Sequence, residues 1–186
     1  MQPITIVLSQ GFSDWEIAPL AGAGRAFFSA DIRFASPGGG ALTSAAGLTV
    51  AATEPFTAPD TGVVVICGGP VWESTEAPDM SQALRRAIAN GCVVAGICGG
   101  TVPLAKAGLL DHVAHTSNAP DYLAQLAPGY TGAAHYRDQP AACRDGHVIT
   151  APAPAPASFA AEVLMAAGLE PEAARQLPAM LAREHL

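Results

Sequence analysis

Cys98 follows the apolar run Val93-Val94-Ala95-Gly96-Ile97 and precedes Gly99-Gly100-Thr101. The run reads as a buried strand, and the pattern from Val102 to Ala107 reads as a helix. So sharp a strand-to-helix turn lifts its central side chain onto the top of the sheet. It also aims the first free N–H groups of the helix at that side chain, and these favour a thiolate over a thiol. With serine in this position the same geometry is the nucleophile elbow of the α/β-hydrolases. Gly68-Gly69 closes a second apolar run, and its backbone N–H groups, with that of Gly99, could converge on a developing oxyanion. Glu16 lies one turn into the first helix and reaches the same edge. An acid beside a thiolate raises the thiol pKa by like-charge repulsion, unless the pair shares a proton; a protonated Glu16 would donate to the sulfur and hold it as thiolate. Plainer readings stay open: an ordinary glycine-rich turn at 68–69, and a first-turn carboxylate at Glu16 that favours the helix dipole. Cys67, Cys92 and Cys143 are expected only to pack.

The elements that must position these residues alternate between strand and helix. Residues 4–9 read as a buried strand, and Asp14 can cap a helix running to about residue 30. Residues 31–36 form a second strand. A short hairpin pairs 41–43 with 48–50, and 62–67 is a third, β-branched strand. Residues 80–90 carry Ala83, Leu84, Ala87 and Ile88 at helical spacing and stop at Gly91. The fourth strand, 92–97, leads into the turn at Cys98. Beyond it come a short strand at 112–117 and a helix at 120–126. Edge-like strands follow within 133–137 and 141–150, and helices at 159–167 and 171–183 close the chain. Buried strands alternating with amphipathic helices mean an α/β fold with a mostly parallel sheet covered on both faces. Ligands in such sheets sit at the carboxyl ends of the strands, which groups the loops after Ser9, Cys67 and Ile97.

The chain's 186 residues suit a single domain, residues 1–186, with a core large enough to need no staples. Half the residues are hydrophobic and 13% are charged, which argues against disorder. The net charge is −7, with nine basic residues and no cluster larger than Arg85-Arg86, which argues against nucleic-acid binding. No apolar run reaches the roughly 18 residues of a membrane span, and Met1-Gln2-Pro3 has no signal-like basic region, so a cytoplasmic protein is expected. The four cysteines show no C-x-x-C spacing, and no close Cys/His pair has metal-ligand spacing. Neither disulfides, a metal nor a cofactor is expected.

Three blocks carry a family resemblance: Gly11-Phe12-Ser13-Asp14-Trp15-Glu16, Val64-Val65-Ile66-Cys67-Gly68-Gly69 and Ala95-Gly96-Ile97-Cys98-Gly99-Gly100-Thr101. Together they resemble the signature blocks of the ThiJ/PfpI superfamily. Ala107-Gly108-Leu109-Leu110 and His115-Thr116-Ser117-Asn118 are similar to its bacterial amidotransferase-like branch. The resemblance implies a class I glutamine-amidotransferase-like fold, a flavodoxin-like three-layer sandwich with a nucleophile-elbow cysteine, and a homodimer. It also implies Cys98 as nucleophile, Glu16 as the carboxylate against it, and Gly69 and Gly99 as the oxyanion-hole amides. Asn118 falls where the human branch has a histidine at the active-site edge.

Departures from the family narrow the activity. The peptidase branch places a histidine directly after the cysteine, where this chain has Gly99. Glutamine amidotransferases carry a histidine and, two residues later, a glutamate after the last strand; here the only histidine after Thr150 is His185. Proteolysis and glutamine hydrolysis are therefore disfavoured. His115 remains a candidate partner for Cys98, against the commoner outcome of a satisfied structural histidine. His112, His135 and His147 read as surface or strand-end residues, while Asp14 and Trp15 are expected to cap and pack the first helix. The leading expectation is an enzyme in which a Cys98 thiolate attacks a small aldehyde, amide or isocyanide while Glu16 manages the proton, in hydrolase, hydratase or glyoxalase-type chemistry. The alternatives are a redox-sensing stress or chaperone protein whose Cys98 gains one or two oxygen atoms under mild peroxide, and a holdase in which Cys98 is incidental.

Overall fold

Strand β1 (Ile4–Val7) lies between β2 (Ile32–Ser36) on one side and β5 (Val63–Ile66) on the other, parallel to both. The computed structural model describes residues 1–183. With β3 (Gly40–Thr43), β4 (Thr49–Pro55), β6 (Val93–Ile97), β7 (Cys143–Asp145) and β8 (Val148–Ala151), these strands make one eight-stranded sheet of order β3-β4-β2-β1-β5-β6-β8-β7. Only β3 and β7, the two ends, pair antiparallel.

Strand alternation divides the core in two. Ile4, Ile6, Val63, Val65, Val93, Ala95 and Ile97 face one layer, where Ile17, Leu20, Phe159, Val163 and Leu164 cover them. Val7, Val64, Ile66 and Val94 face the other, against Trp72, Leu84, Ala87, Val102, Leu104 and Leu123. The first cover comes from α1 (Asp14–Ala18) and α6 (Pro156–Ala166); the second from α3 (Ser81–Ala89), α4 (Thr101–Lys106) and α5 (Tyr122–Leu126). Helix α2 (Gly24–Phe28) follows α1, and α7 (Pro171–Ala182) packs on α6. The result is the expected α/β fold with helices on both faces of a mostly parallel sheet. After β1 the chain builds outward through β2 and β4, then returns to the other side of β1 as β5. The sheet thus switches direction between β1 and β5, the place where such folds open a crevice at the carboxyl edge.

Three local expectations differ from the structure. The long first helix is interrupted by a π-helical turn, Pro19–Ala23, which begins at the one residue that cannot donate an intrahelical N–H. Segments 112–117 and 133–137 form no strand; a single parallel bridge joins His115 to Tyr136, and Gly132–His135 is a 3₁₀ turn. The β6 edge on this side is already paired by β8, and the other edge of β8 by β7, so neither is open to them. The backbone of 112–117 is instead satisfied by side chains: Ala114 N–H donates to Asp145 Oδ2 at 2.8 Å and Thr116 N–H to Thr150 Oγ1 at 2.8 Å. Finally, β8 is not edge-like: all four of its residues are buried. Among the described residues no helix is long and apolar enough to cross a membrane.

Candidate active site

The carboxyl ends of β1, β5 and β6 lie in register, with Val7 opposite Ile66 and Ile66 opposite Gly96, so the loops that follow meet at one edge. Cys98 sits at the end of β6 with φ of 54°, one of two non-glycine residues with positive φ among those described. Holding an L-residue there costs about 1–2 kcal/mol. The surrounding turn is a 3₁₀ segment, Cys98–Gly100, that runs into α4. Thr101 Oγ1 donates to the Cys98 carbonyl at 2.7 Å and shares a second 2.7 Å hydrogen bond with Ser117 Oγ, which ties the turn to the 115–118 segment.

Glu16 is completely buried. Its Oε2 accepts the Gly68 N–H at 2.8 Å, across 52 residues of sequence, while Oε1 has no partner of good geometry among the described residues. The carboxyl and Cys98 meet at Gly68, where one added Cβ would touch both. Burial raises the Glu16 pKa, with the Cys98, Gly68 and Ser13 hydrogen bonds opposing the rise. Burial likewise pushes the Cys98 thiol up to about 11, helped by the charge of Glu16; Asn118 and the Gly99 N–H pull the other way. The turn at the helix start therefore does not by itself favour a thiolate. Glu16 and Cys98 each raise the cost of a charge on the other, so the two titrate as a pair.

This burial has a cost that can be read in stability. A carboxyl whose pKa is raised by folding contributes stability below its unfolded pKa, and that contribution is lost as pH rises through the folded value. Glu16→Gln keeps an acceptor for Gly68 and removes the charge. At pH 8 the variant is expected to be more stable than wild type by about 1–2 kcal/mol, or roughly 2–8 °C in Tm. The advantage should vanish as the pH falls below the carboxylate range. Thermal unfolding at both pH values checks this, and a variant no more stable at pH 8 would refute it.

Gly68 has no room for a side chain: a Cβ would stand 2.2 Å from Glu16 Oε2 and 2.9 Å from Cys98 Cβ. The Gly69 and Gly99 backbones touch, since a Cβ on Gly99 would lie 2.9 Å from the Gly69 carbonyl oxygen and 3.4 Å from its nitrogen. The buried Gly69 N–H has no partner among the described residues. Four of the five sequence candidates, Cys98, Glu16, Gly69 and Gly99, thus come together.

His115 does not join them. Its Nδ1 bonds the Val113 carbonyl at 2.8 Å and its Nε2 bonds Tyr130 Oη at 2.6 Å, and both Tyr130 and Tyr136 stand edge-on to the ring. Burial lowers its pKa. His112 stacks edge-on with His135, and His147 Nδ1 bonds the Cys92 carbonyl at 3.2 Å. His185 lies outside the described residues. Asp14 makes no cap; its Oδ2 accepts Ala46 N–H at 2.8 Å, and Trp15 is 54% exposed.

Asn118 is the residue the motif reading undervalued. Its Nδ2 donates to Cys98 Sγ at 3.4 Å, and its Oδ1 accepts the Ala153 N–H at 3.0 Å. The second bond decides the orientation of the amide, because an oxygen turned to Ala153 turns the NH₂ to the sulfur. Ala153 belongs to the repetitive stretch Ala151-Pro152-Ala153-Pro154-Ala155-Pro156, where prolines have no N–H to offer. Tyr122 and Glu73 were not predicted at all. Tyr122 Oη donates to Glu73 Oε1 at 2.6 Å. No local pattern marks either residue, since they stand 49 positions apart.

A strand-end cysteine at positive φ, a buried carboxyl and two glycine-lined loops thus stand together at the switch point of the sheet. The profile of the DJ-1/PfpI family matches residues 2–166, and the chain belongs to that family. A DJ-1 superfamily protein from Agrobacterium tumefaciens is similar over 100% of both chains, with 41% identity and a TM-score of 0.91. A thiJ/pfpI family protein from Bacillus anthracis has 26% identity and a TM-score of 0.79, covering 88% of this chain and 82% of that one. A Bacillus subtilis (strain 168) protein named "Uncharacterized protease YoaZ" is 35% identical over 102 residues, which are 55% of this chain and 48% of that protein. The similarity thus spans about half the length of that relative.

Proposed function

We propose that the protein is a cysteine-dependent enzyme acting on a small electrophile such as an aldehyde, amide or isocyanide. The Cys98 sulfur attacks the electrophilic carbon, Glu16 receives the thiol proton and returns it to the adduct, and the Gly69 and Gly99 amides receive the negative charge that develops on oxygen. The observation that carries this reading is the placement of Cys98, at its strained strand end, across Gly68 from a fully buried carboxyl that has one oxygen unpartnered. Such a pair holds one proton between two groups, and its titration belongs to the pair.

Proteolysis, the activity in the name of the Bacillus subtilis relative, is less well supported. No histidine among the described residues bonds Cys98, and the position after it is Gly99.

Alkylation of Cys98 by iodoacetamide from about pH 4 to about pH 11 tests the proton partner. In wild type the rate should rise first as the pair loses one proton in the raised carboxyl range, level off, then climb again towards about 11. Glu16→Gln should lose the lower limb. Its single remaining midpoint should fall below about 11, because the charge that raised it is gone. A single limb in wild type, unchanged in the variant, would sink the proton-partner role.

A further inference from the structure

Two carboxyl groups flank Cys98, and they differ in every physical respect. Glu16 is fully buried, beneath Gly68. Glu73 is exposed and stands at the solvent side of the same glycine loops, where its Oε1 would be 3.5 Å from a Cβ on Gly99. Its position is not left to chance. It ends the 3₁₀ turn Pro70–Glu73 that follows Gly68-Gly69, and this turn is anchored by Trp72, which is 1% exposed and donates its indole N–H to the Cys67 carbonyl at 2.8 Å. From the other side Tyr122 donates to Glu73 Oε1 at 2.6 Å. Burial and the neighbouring Glu73 push the Tyr122 phenol up, and Cys98 adds to the rise, so the phenol stays a donor and lies within electrostatic reach of the sulfur. The other Glu73 oxygen, Oε2, makes no hydrogen bond or ion pair among the described residues.

We propose that Glu73, held by Tyr122, is a specificity-determining carboxylate at the mouth of the Cys98 site, selecting electrophiles that carry an N–H donor or a positive charge beside the reacting carbon. The inference rests on the reading of Cys98 as a nucleophile and narrows its substrate class. Amides and amine-bearing carbonyl compounds are accepted, whereas electrophiles carrying a carboxylate are repelled. No ion pair to Glu73 from a basic side chain is present among the described residues. Lys106 shares with Glu73 a cavity of about 500 Å³, lined also by Ser74, Thr75, Gln125, Leu126 and Pro128, but forms no ion pair with it.

The test uses the full chain and three methanethiosulfonates of one scaffold, bearing an ammonium, a sulfonate or no charge. In each reaction the Cys98 thiolate forms a disulfide with the reagent's thiol half and releases methanesulfinate, so the chemistry is constant and only the charge varies. Rates at Cys98, located by peptide mass, are divided by rates with free 2-mercaptoethanol. Wild type should favour the cationic over the anionic reagent. Glu73→Gln should lower that ratio roughly three- to ten-fold at low ionic strength, and the difference should shrink in high salt. Glutamine still accepts from Tyr122, so the turn is preserved, and an unchanged Tm verifies it. A ratio equal in wild type and Glu73→Gln overturns the inference while leaving Cys98 reactive. Failure of all three reagents to label Cys98 overturns the nucleophile reading and the inference with it.

Discussion

Cys98→Ser is expected to lower turnover of any accepted electrophile by on the order of 10³-fold or more, with little change in stability. Serine is nearly isosteric and tolerates the same backbone, so the turn at φ 54° and the Thr101 and Ser117 hydrogen bonds survive. What does not survive is the proton arithmetic. Burial already pushes the thiol up to about 11, and an alcohol in the same place starts several units higher. Glu16 can share a proton with a thiol but cannot strip one from a hydroxyl, and among the described residues no imidazole bonds Cys98 to do so, His115 being held by Val113 and Tyr130. Steady-state assays with small aldehydes, amides and isocyanides check the point. Equal turnover in both proteins would end the nucleophile reading. If instead wild type turns over none of these compounds, while mild peroxide adds one or two oxygen atoms at Cys98, the redox role replaces the enzymatic one.

Gly100→Ala should be the most damaging single methyl at this site. A Cβ there would lie 2.2 Å from the Ile66 carbonyl oxygen and 2.9 Å from its carbon. Both atoms are backbone at the end of β5, a strand paired on each side by β1 and β6, so nothing can move aside cheaply. The strand end and the turn must separate. That should cost about 3 kcal/mol or more, a fall of roughly 6–12 °C in Tm. Cys98 would shift with the turn, so alkylation should lose its dependence on Glu16 even where the protein remains folded. Gly91, whose Cβ would meet nothing within 4 Å, is the contrast for space, although its φ of 85° makes alanine strained there as well. A Gly100→Ala protein as stable as wild type would mean that the elbow tolerates a looser crossing than its geometry implies.

Local pattern carried much of the fold. The apolar runs at β1, β5 and β6 are legible because a strand buried on both faces needs no polar alternation, and the termini of α3 follow from Gly91 and the spacing of Leu84 and Ala87. The misreadings fall where local pattern and available partners part company. Segment 112–117 has strand-like residues, but pairing requires a free edge, and β8 had taken the one beside β6. Pro19 is a visible helix breaker, yet packing of Ile17 and Leu20 on the core carries the helical path through it as a π turn.

The site divides along the same line. Sequence alone determined that one cysteine ends a buried strand and begins a turn into a helix, because strand, glycines and helix are contiguous and their geometry is local. It also brought Glu16 and Gly69 to the same edge, since parallel strands share a carboxyl end. Only the tertiary structure decided what each group does there. It seated Glu16 in the dark beneath Gly68 with one oxygen unpartnered, turned the Asn118 amide by way of Ala153, closed His115 off behind Tyr130, and set Glu73 and Tyr122 at the mouth. Each of those outcomes is a contact across 15 to 52 residues. Such contacts depend on which strand lies beside which and on how fully each polar atom is desolvated, and neither quantity exists until the chain is folded.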